Sequence, residues 1–505
     1  MVRFIDSFLN SITMYRLVLN SLLIIALMAI IYGFLGMYAV SGVQMILSLL
    51  VILLACQVSN YFFAKLFTAQ TNIESSVITT LILFLILPPA RESTDYLVLA
   101  LAGVLAMASK YVLAINKKHL FNPAAVAVVT LPFVTNVGAT WWVGSSILLP
   151  VVLLTGLLIV RKIRRFQLFF AFMVTSLVTM AAYGLSQGVA LTQLLPEVIT
   201  SWPLLFFATI MLTEPLTTPP TNKLRVVYGG LVGVLFGAQF HWGPLYSSPE
   251  LALVMGNIFS FIVSPKQQLV LTLKEKVKIG QDMFDFVFVP NQRLAFSAGQ
   301  YLEWTLDYGK PDIRGNRRYF TVASAPEEEE VRLGVKIPPK ASAFKRALAT
   351  LEPGQSIVAS QLAGDFTLPE DATQKVVFIA GGIGVTPFRS MIESLLARNE
   401  KRDIVMLYVC SSGEEFVYQE LFKRAVAKLG IRVIYVITQA KNVPKNWPGR
   451  VGYLTAESIR SDVPDVSERK WYLSGPQAMV DAYKRVLGDL GVARSSIKTD
   501  YFPGF

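Results

Sequence analysis

The sequence predicts a chain in two parts. The first is a polytopic all-α membrane domain of about ten helices, an inverted repeat with broken helices; the second is a small antiparallel β-barrel followed by a doubly wound α/β domain. Three observations carry this reading. The composition, 53% hydrophobic and 16% charged, is uneven, because apolar runs fill the chain to about Val263 and charges crowd in afterwards. Charge-free stretches such as Leu22–Leu35 and Leu148–Val160 recur too often for one soluble core. Beyond Leu269 the pattern becomes that of strands, and one apolar run, Val376–Ala380, opens directly onto glycines. The expected domains are 1–264 in the membrane, 265–367 for the barrel and 368–505 for the α/β fold.

In the first part, apolar runs bounded by charge or by Pro and Gly give spans near 15–36, 42–63, 75–89, 96–115, 122–135, 143–160, 166–186, 200–213, 224–240 and 249–264. Several are shorter than the ~20 residues of a straight span. Those that end in Leu85-Ile86-Leu87-Pro88-Pro89 and Thr213-Glu214-Pro215 read as broken helices, which a membrane tolerates only around a protein-enclosed site. Each stands third in its set of five, which suggests an inverted repeat whose breaks meet near the midplane. Met1–Asn20 has no basic region followed by a small-residue cleavage site, so the first helix is expected to be retained.

With a cytoplasmic N-terminus, the inner loops and span ends carry Lys65, Lys110, Lys117, Lys118, Arg161, Lys162, Arg164, Arg165, Lys223 and Arg225, and the outer loops carry Arg91 alone. That asymmetry follows the positive-inside rule and leaves the C-terminal half cytoplasmic, as in a multi-pass protein of a cell inner membrane. The net charge of +12 is thereby explained by the lipid bilayer, with no nucleic acid as partner. Cys56 and Cys410 are too few for a four-thiolate iron–sulfur cluster or a zinc site and read as core residues. His119 and His241 are too few for a transmembrane haem pair with two histidines per iron. No metal, haem or iron–sulfur cluster is expected in this chain.

In the second part, strand-like runs Phe284–Val289, Tyr301–Leu306, Arg318–Ala323 and Val331–Ile337 precede a helix over Ser342–Leu351. On the Arg318–Ser324 strand, Arg318 and Phe320 share a face and Thr321 points oppositely, unless the strand twists or ends there. Arginine suits a diphosphate, an aromatic ring a flavin, and a hydroxyl a ring nitrogen. Val376–Ala380 reads as a buried parallel strand. The turn Gly381-Gly382-Ile383-Gly384-Val385-Thr386-Pro387 then lets a dinucleotide approach a helix capped by Thr386, with Pro387 in its first turn. Further strands are expected at Ile404–Val409, Val433–Ile437 and Trp471–Ser474.

These segments, with Gly364-Asp365-Phe366 and Ser474-Gly475-Pro476 in the same order, resemble the ferredoxin–NADP⁺ reductase superfamily over about 235 residues. The resemblance implies an NAD(P)H-dependent FAD oxidoreductase. It implies that Arg318 binds the FAD pyrophosphate, that Phe320 packs on the isoalloxazine and that Thr321 bonds the flavin near N5. Phe320 stands where the family usually has Tyr, so a phenolic hydrogen bond is lost. A second phosphate motif appears imperfectly as Pro339-Lys340-Ala341-Ser342, with Ser342 capping a helix. Gly381, Gly382, Gly384, Thr386, Ser474, Gly475 and Pro476 fall in the family's dinucleotide motifs. After the next strand, Cys410–Glu415 lacks an Arg for a 2′-phosphate, which favours NADH over NADPH. Phe505 matches a C-terminal aromatic that covers the flavin in the family; the competing reading is a frayed tail.

Phe121-Asn122-Pro123-Ala124-Ala125 and Leu212-Thr213-Glu214-Pro215-Leu216-Thr217-Thr218-Pro219 resemble the membrane flavin subunits of two electron-transport complexes, the sodium-translocating NADH:quinone reductase and the Rnf complex. That implies a second flavin, FMN or riboflavin, within the membrane domain, and an acceptor that is a quinone or an extracytoplasmic flavoprotein. Glu214 and Asn122 are its candidate contacts. Glu214 could instead pair Lys223 or Arg225, and Asn122 could instead cap the helix begun by Pro123. The nearest segment to the family's covalent flavin site is Val137-Gly138-Ala139-Thr140-Trp141-Trp142, which reads equally as an interfacial aromatic belt. Three functions remain open: an NADH-oxidising electron conduit, a redox-driven Na⁺ or H⁺ pump, and a transporter with an appended reductase domain.

Overall fold

A computed structural model of the chain describes residues 5–6, 8–9, 12–67, 73–115, 118–242, 245–263, 268–309 and 315–500. The chain divides into two compact units, Met1–Gln268 and Leu269–Phe505.

The first unit is helical. Met14–Phe34, Gly42–Leu66, Ser93–Val112 and Phe166–Ser186 are each long and apolar enough to cross a membrane, and their exposed surfaces carry large apolar side chains such as Leu54, Leu97 and Val178. Ile73–Ile86, Pro123–Val134, Leu149–Ile163, Asn222–Gly237 and Pro249–Val263 are shorter. The segment expected to be one span near 200–213 is a bent pair, Leu191–Ser201 and Leu204–Met211, at 57° to one another. Pro203 breaks it, since a proline inside a helix removes a hydrogen bond and clashes with the preceding turn. Its second limb widens into a π-helical turn over Phe207–Met211.

The packing repeats along the unit. Gly42–Leu66 packs on Ser93–Val112, as Phe166–Ser186 packs on Asn222–Gly237. Pro123–Val134 packs on Pro249–Val263, and Met14–Phe34 on Leu149–Ile163. Two small hairpins that the apolar pattern does not reveal, Ala114–Ile115 with Lys118–His119 and His241–Trp242 with Leu245–Tyr246, fall just before Pro123–Val134 and Pro249–Val263. The second helix pair approaches through glycine: a Cβ on Gly233 would lie 2.7 Å from the Phe172 carbonyl and also strike Thr175.

The second unit holds two six-stranded sheets. The first is antiparallel, in the spatial order Arg317–Thr321, Tyr301–Thr305, Ser356–Ala363, Gln268–Gly280, Met283–Pro290, Val331–Lys336. It is a half-barrel where the sequence predicts a small barrel. The Arg317–Thr321 strand stops after five residues, and the seam is bridged by Ala323 N–H donating to the Arg332 carbonyl at 2.9 Å. Trp304, Phe286 and Phe288 fill its interior. The second sheet is parallel, in the order Arg450–Val451, Arg432–Ile437, Ile404–Cys410, Val376–Gly381, Lys470–Ser474, Ile497–Asp500. Val376–Gly381 and Ile404–Cys410 are buried along their whole length, as strands covered by helices on both faces must be.

The helix pair supplies a test with an internal control. A Cβ on Gly230 would meet only Thr175 Cγ2, at 3.8 Å. Gly233→Ala is expected to destabilise the purified protein by about 1–3 kcal/mol through overpacking. Gly230→Ala is expected to be neutral or stabilising by up to about 1 kcal/mol, from helix propensity alone. Thermal unfolding in detergent compares them, and equal effects would refute close packing at Gly233.

Candidate functional site

The parallel sheet runs outward from Val376–Gly381 to one side through Ile404–Cys410, and to the other through Lys470–Ser474. The carboxyl ends of these central strands therefore flank a switch point, where an open α/β sheet leaves a crevice. Two glycine turns meet there. A Cβ on Gly384 would fall 2.6 Å from the Ser474 carbonyl and 2.7 Å from the Gly475 nitrogen, so backbone lies directly on backbone. Gly382 has φ +51, with open space where a Cβ would stand, while its carbonyl accepts from the Tyr408 hydroxyl at 3.3 Å. Pro476 caps the helix Gln477–Asp489. Thr386 is not the cap that its sequence suggests. The 3₁₀ turn Gly382–Val385 runs straight into the helix Thr386–Ala397, so Thr386 is already helical and no side chain caps that helix.

On the half-barrel, Arg318 and Phe320 share a face, as alternation requires. Both reach Phe344, whose ring lies 5.3 Å from the Arg318 guanidinium carbon and 5.9 Å from the Phe320 ring. Arg318 is buried and donates to the Gly315 and Arg317 carbonyls. Phe344 belongs to the helix Ala343–Ala349, and Ser342 is its N-cap, its hydroxyl accepting from Lys345 N–H. Arg318, Phe320 and Ser342 thus gather on one side.

Thr321 ends its strand and turns to the other sheet, where its hydroxyl donates to Asp500 Oδ2 at 3.2 Å. Asp500 is buried at the end of Ile497–Asp500, in register with Ser474. Burial pushes its carboxyl up to about 7, against the lowering effect of the Thr321 hydroxyl. Sequence reading missed Asp500; the available signal was an acidic residue closing a strand-like run, Ile497-Lys498-Thr499. Phe505 lies outside the described residues.

In the helical unit, Asn122 is the N-cap of Pro123–Val134, its Oδ1 accepting from Ala125 N–H, while its amide donates to Glu214 Oε2 at 2.8 Å. Of the two readings of Asn122, the structure shows the helix cap, and the same side chain bonds Glu214. Glu214 also receives the Thr217 hydroxyl and lies 3.6 Å from His119 Nε2. Arg225 turns instead to the Pro219 and Pro220 carbonyls. Asn257 joins the cluster, accepting from Asn122 N–H and donating to the Tyr228 hydroxyl. Five of these residues, His119, Asn122, Thr217, Tyr228 and Asn257, are buried. At the other break, Trp142 Nε1–H reaches the Phe84 and Leu87 carbonyls, and Thr140 and Trp141 N–H reach the Ile86 carbonyl. Trp141, 6% exposed, donates its indole N–H to Glu250, so it does not form a surface belt. Thr140 itself is exposed.

Residues 378–485 match the family model of the oxidoreductase NAD-binding domain. The chain is 25% identical over 282 residues to NADH-cytochrome b5 reductase 1 of Ajellomyces capsulatus, covering 52% of this chain and 90% of that protein. It is 24% identical over 233 residues to the glycine betaine monooxygenase reductase subunit of Pseudomonas aeruginosa, covering 45% of this chain and 63% of that protein, less than two thirds of it. A solved structure, the Amycolatopsis cytochrome P450 reductase GcoB, aligns with TM-score 0.42 and 25% identity over 47% of this chain and 70% of that one. The C-terminal unit carries an oxidoreductase NAD-binding domain, and the chain is an NAD(P)H-dependent FAD oxidoreductase.

The raised Asp500 carboxyl fixes the sign of a pH effect. An unfolded Asp titrates near 3.8 and this one near 7, so between those values the unfolded chain releases a proton that the folded chain keeps. Stability therefore falls as pH rises from about 4 to 7 and levels off above, by at most about 4 kcal/mol. Asp500→Asn is expected to flatten that slope and to raise stability at pH 8. Denaturant unfolding across pH measures both, and an unaltered slope contradicts the burial argument.

Proposed function

We propose that this chain is an NADH-oxidising electron conduit that passes electrons from FAD into or across a membrane, through a second flavin, to a quinone or an extracytoplasmic flavoprotein. The observation that carries the reading is the half-buried Glu214 held by buried Asn122 and His119 at a helix break, in a chain whose other unit is an FAD oxidoreductase. In this reading the ten helical segments described from Met14 to Val263, counting the bent pair as one, are spans with N-terminus and reductase unit in the cytoplasm. FAD held there would supply the switch from two-electron hydride uptake to single-electron transfer. Arg318 and Ser342 hold the FAD phosphates, Phe320 lies against the isoalloxazine, and Thr321 faces N5 with Asp500 behind it as a proton store.

Gly381, Gly382, Gly384 and Thr386 cradle the dinucleotide, and Ser474, Gly475 and Pro476 form the opposite wall. The open space beside Gly382 and the close Gly384–Gly475 contact support that assignment. NADH is preferred to NADPH because Glu415, whose carboxylate accepts from Ser411 N–H and pairs Lys336 at 2.7 Å, stands after the second strand where a 2′-phosphate needs a free cation. Asn122 and Glu214 contact FMN or riboflavin in the membrane unit.

Coupled pumping of Na⁺ or H⁺ is the second reading, favoured by the Glu214 carboxylate beside His119. The purified full chain is expected to contain two flavins. Gly384→Trp is expected to abolish NADH reduction of both by filling the turn. Glu214→Gln is expected to leave FAD reduction and dye-linked NADH oxidation fast while slowing reduction of the natural acceptor. A single flavin per chain sinks the conduit. A rate in sealed vesicles that ignores an opposing ion gradient excludes the pump.

A further inference from the structure

The helix that follows the glycine turn, Thr386–Ala397, sends one face toward the segment that follows the Arg317–Thr321 strand. Arg389, one turn into the helix and 7% exposed, donates through Nη1 to the Ala323 carbonyl at 2.7 Å. The same guanidinium forks onto Glu328, Nη1 to Oε2 at 2.6 Å and Nη2 to Oε1 at 3.0 Å. Ser390 hydroxyl donates to the Ser324 carbonyl at 2.6 Å. Glu328 is fixed in turn by Ala325 N–H at 2.6 Å and by Arg332 at 3.3 Å.

Only one residue separates Thr321 from Ala323, and one helical turn separates Thr386 from Arg389. Beside the single Thr321–Asp500 hydrogen bond, this guanidinium is a forked, charged connection between the two cofactor segments. A buried ion pair adds little net stability, because desolvation offsets attraction, but a forked arginine–carboxylate pair fixes distance and angle. Hydride transfer is sensitive to both.

We propose that Arg389 is a positioning residue that sets how closely the nicotinamide meets the flavin, by locking the nucleotide helix to the end of the Arg317–Thr321 strand through Ala323 and Glu328. The proposal rests on assigning the two cofactors to Arg318–Thr321 and Gly381–Thr386. In the step concerned, one hydride carrying two electrons leaves C4 of NADH for N5 of FAD, yielding NAD⁺ and reduced flavin. Arg389 touches neither ring.

The test is anaerobic stopped-flow reduction of the full-length protein across NADH concentrations. Arg389→Gln is expected to lower the limiting rate of FAD reduction by about 10- to 100-fold, the cost of a sub-ångström to ångström misplacement. FAD content and the NADH dissociation constant should stay as in the parent. Arg389→Lys, which keeps the charge but loses the fork, should fall between. The long-wavelength charge-transfer absorbance of reduced protein titrated with NAD⁺ reports ring stacking directly; it should vanish in the Gln variant and partly return in the Lys variant. An unchanged limiting rate or an unchanged charge-transfer band overturns the proposal. Should Arg389→Gln lose FAD or unfold, Arg389→Lys and Ser390→Ala decide it, and normal rates in both refute it. Gly384→Trp tests the underlying assignment separately: normal NADH binding there means that the cofactor sites are misassigned, whatever Arg389 does.

Discussion

Backbone that leaves the helical state among apolar surroundings must find its hydrogen bonds inside the protein, and the helical unit is organised around that constraint. The helix Ile73–Ile86 stops ahead of Pro88 and Pro89, and its last carbonyls have no helical partners. The chain brings back Thr140–Val143 to supply them: the Thr140, Trp141 and Val143 amides and the Trp142 indole satisfy carbonyls from Phe84 to Leu87. At Thr213-Glu214-Pro215 the same need is met by Arg165, which reaches the Thr213 carbonyl at 2.8 Å and the Thr218 hydroxyl. A break so well capped leaves a fixed concentration of polar side chains in an apolar interior, and the Glu214–Asn122–Asn257–Tyr228 chain is its direct result.

The reductase unit obeys a different constraint, close approach. Hydride chemistry needs two ring systems, held by different sheets, within van der Waals contact. In the proposed assignment the glycine turns answer this on the nucleotide side, since a Cβ at Gly384 would separate two segments that touch. On the proposed flavin side, Arg318 and Phe320 meet Phe344, whose helix Ser342 caps, while Thr321 reaches across to Asp500. Thr321 is thus the point where one sheet passes to the other.

What could be read from sequence divides along the range of the interactions. Alternation and apolar runs mark Met283–Pro290, Val331–Lys336 and Val376–Gly381 to within a residue or two, because side-chain periodicity is local. The Ser342 cap is legible for the same reason. The bend at Pro203 is hidden by the apolar run around it, and the Thr386 cap fails because a 3₁₀ turn supplies no extended residue ahead of the helix. Trp142 on Phe84 spans 58 residues, Arg389 on Glu328 spans 61, and Thr321 on Asp500 spans 179. No periodicity in one chain encodes such pairs; they appear only when the topology is assembled.

The two constraints also explain why such halves suit one polypeptide. A soluble reductase presents its flavin to whichever acceptor diffuses to it, and specificity must then come from an interface. Tethering turns that second encounter into an intramolecular one, at an effective concentration fixed by the linker rather than by expression. The connection between the units is short: the last helix ends at Val263 and the first strand begins at Gln268. Electron delivery in the proposed conduit therefore depends on internal geometry at both ends, the capped breaks around Glu214 and the locked helix around Arg389. Loosening either should alter rates before it alters fold, because each is a small set of directional bonds set within a large apolar core.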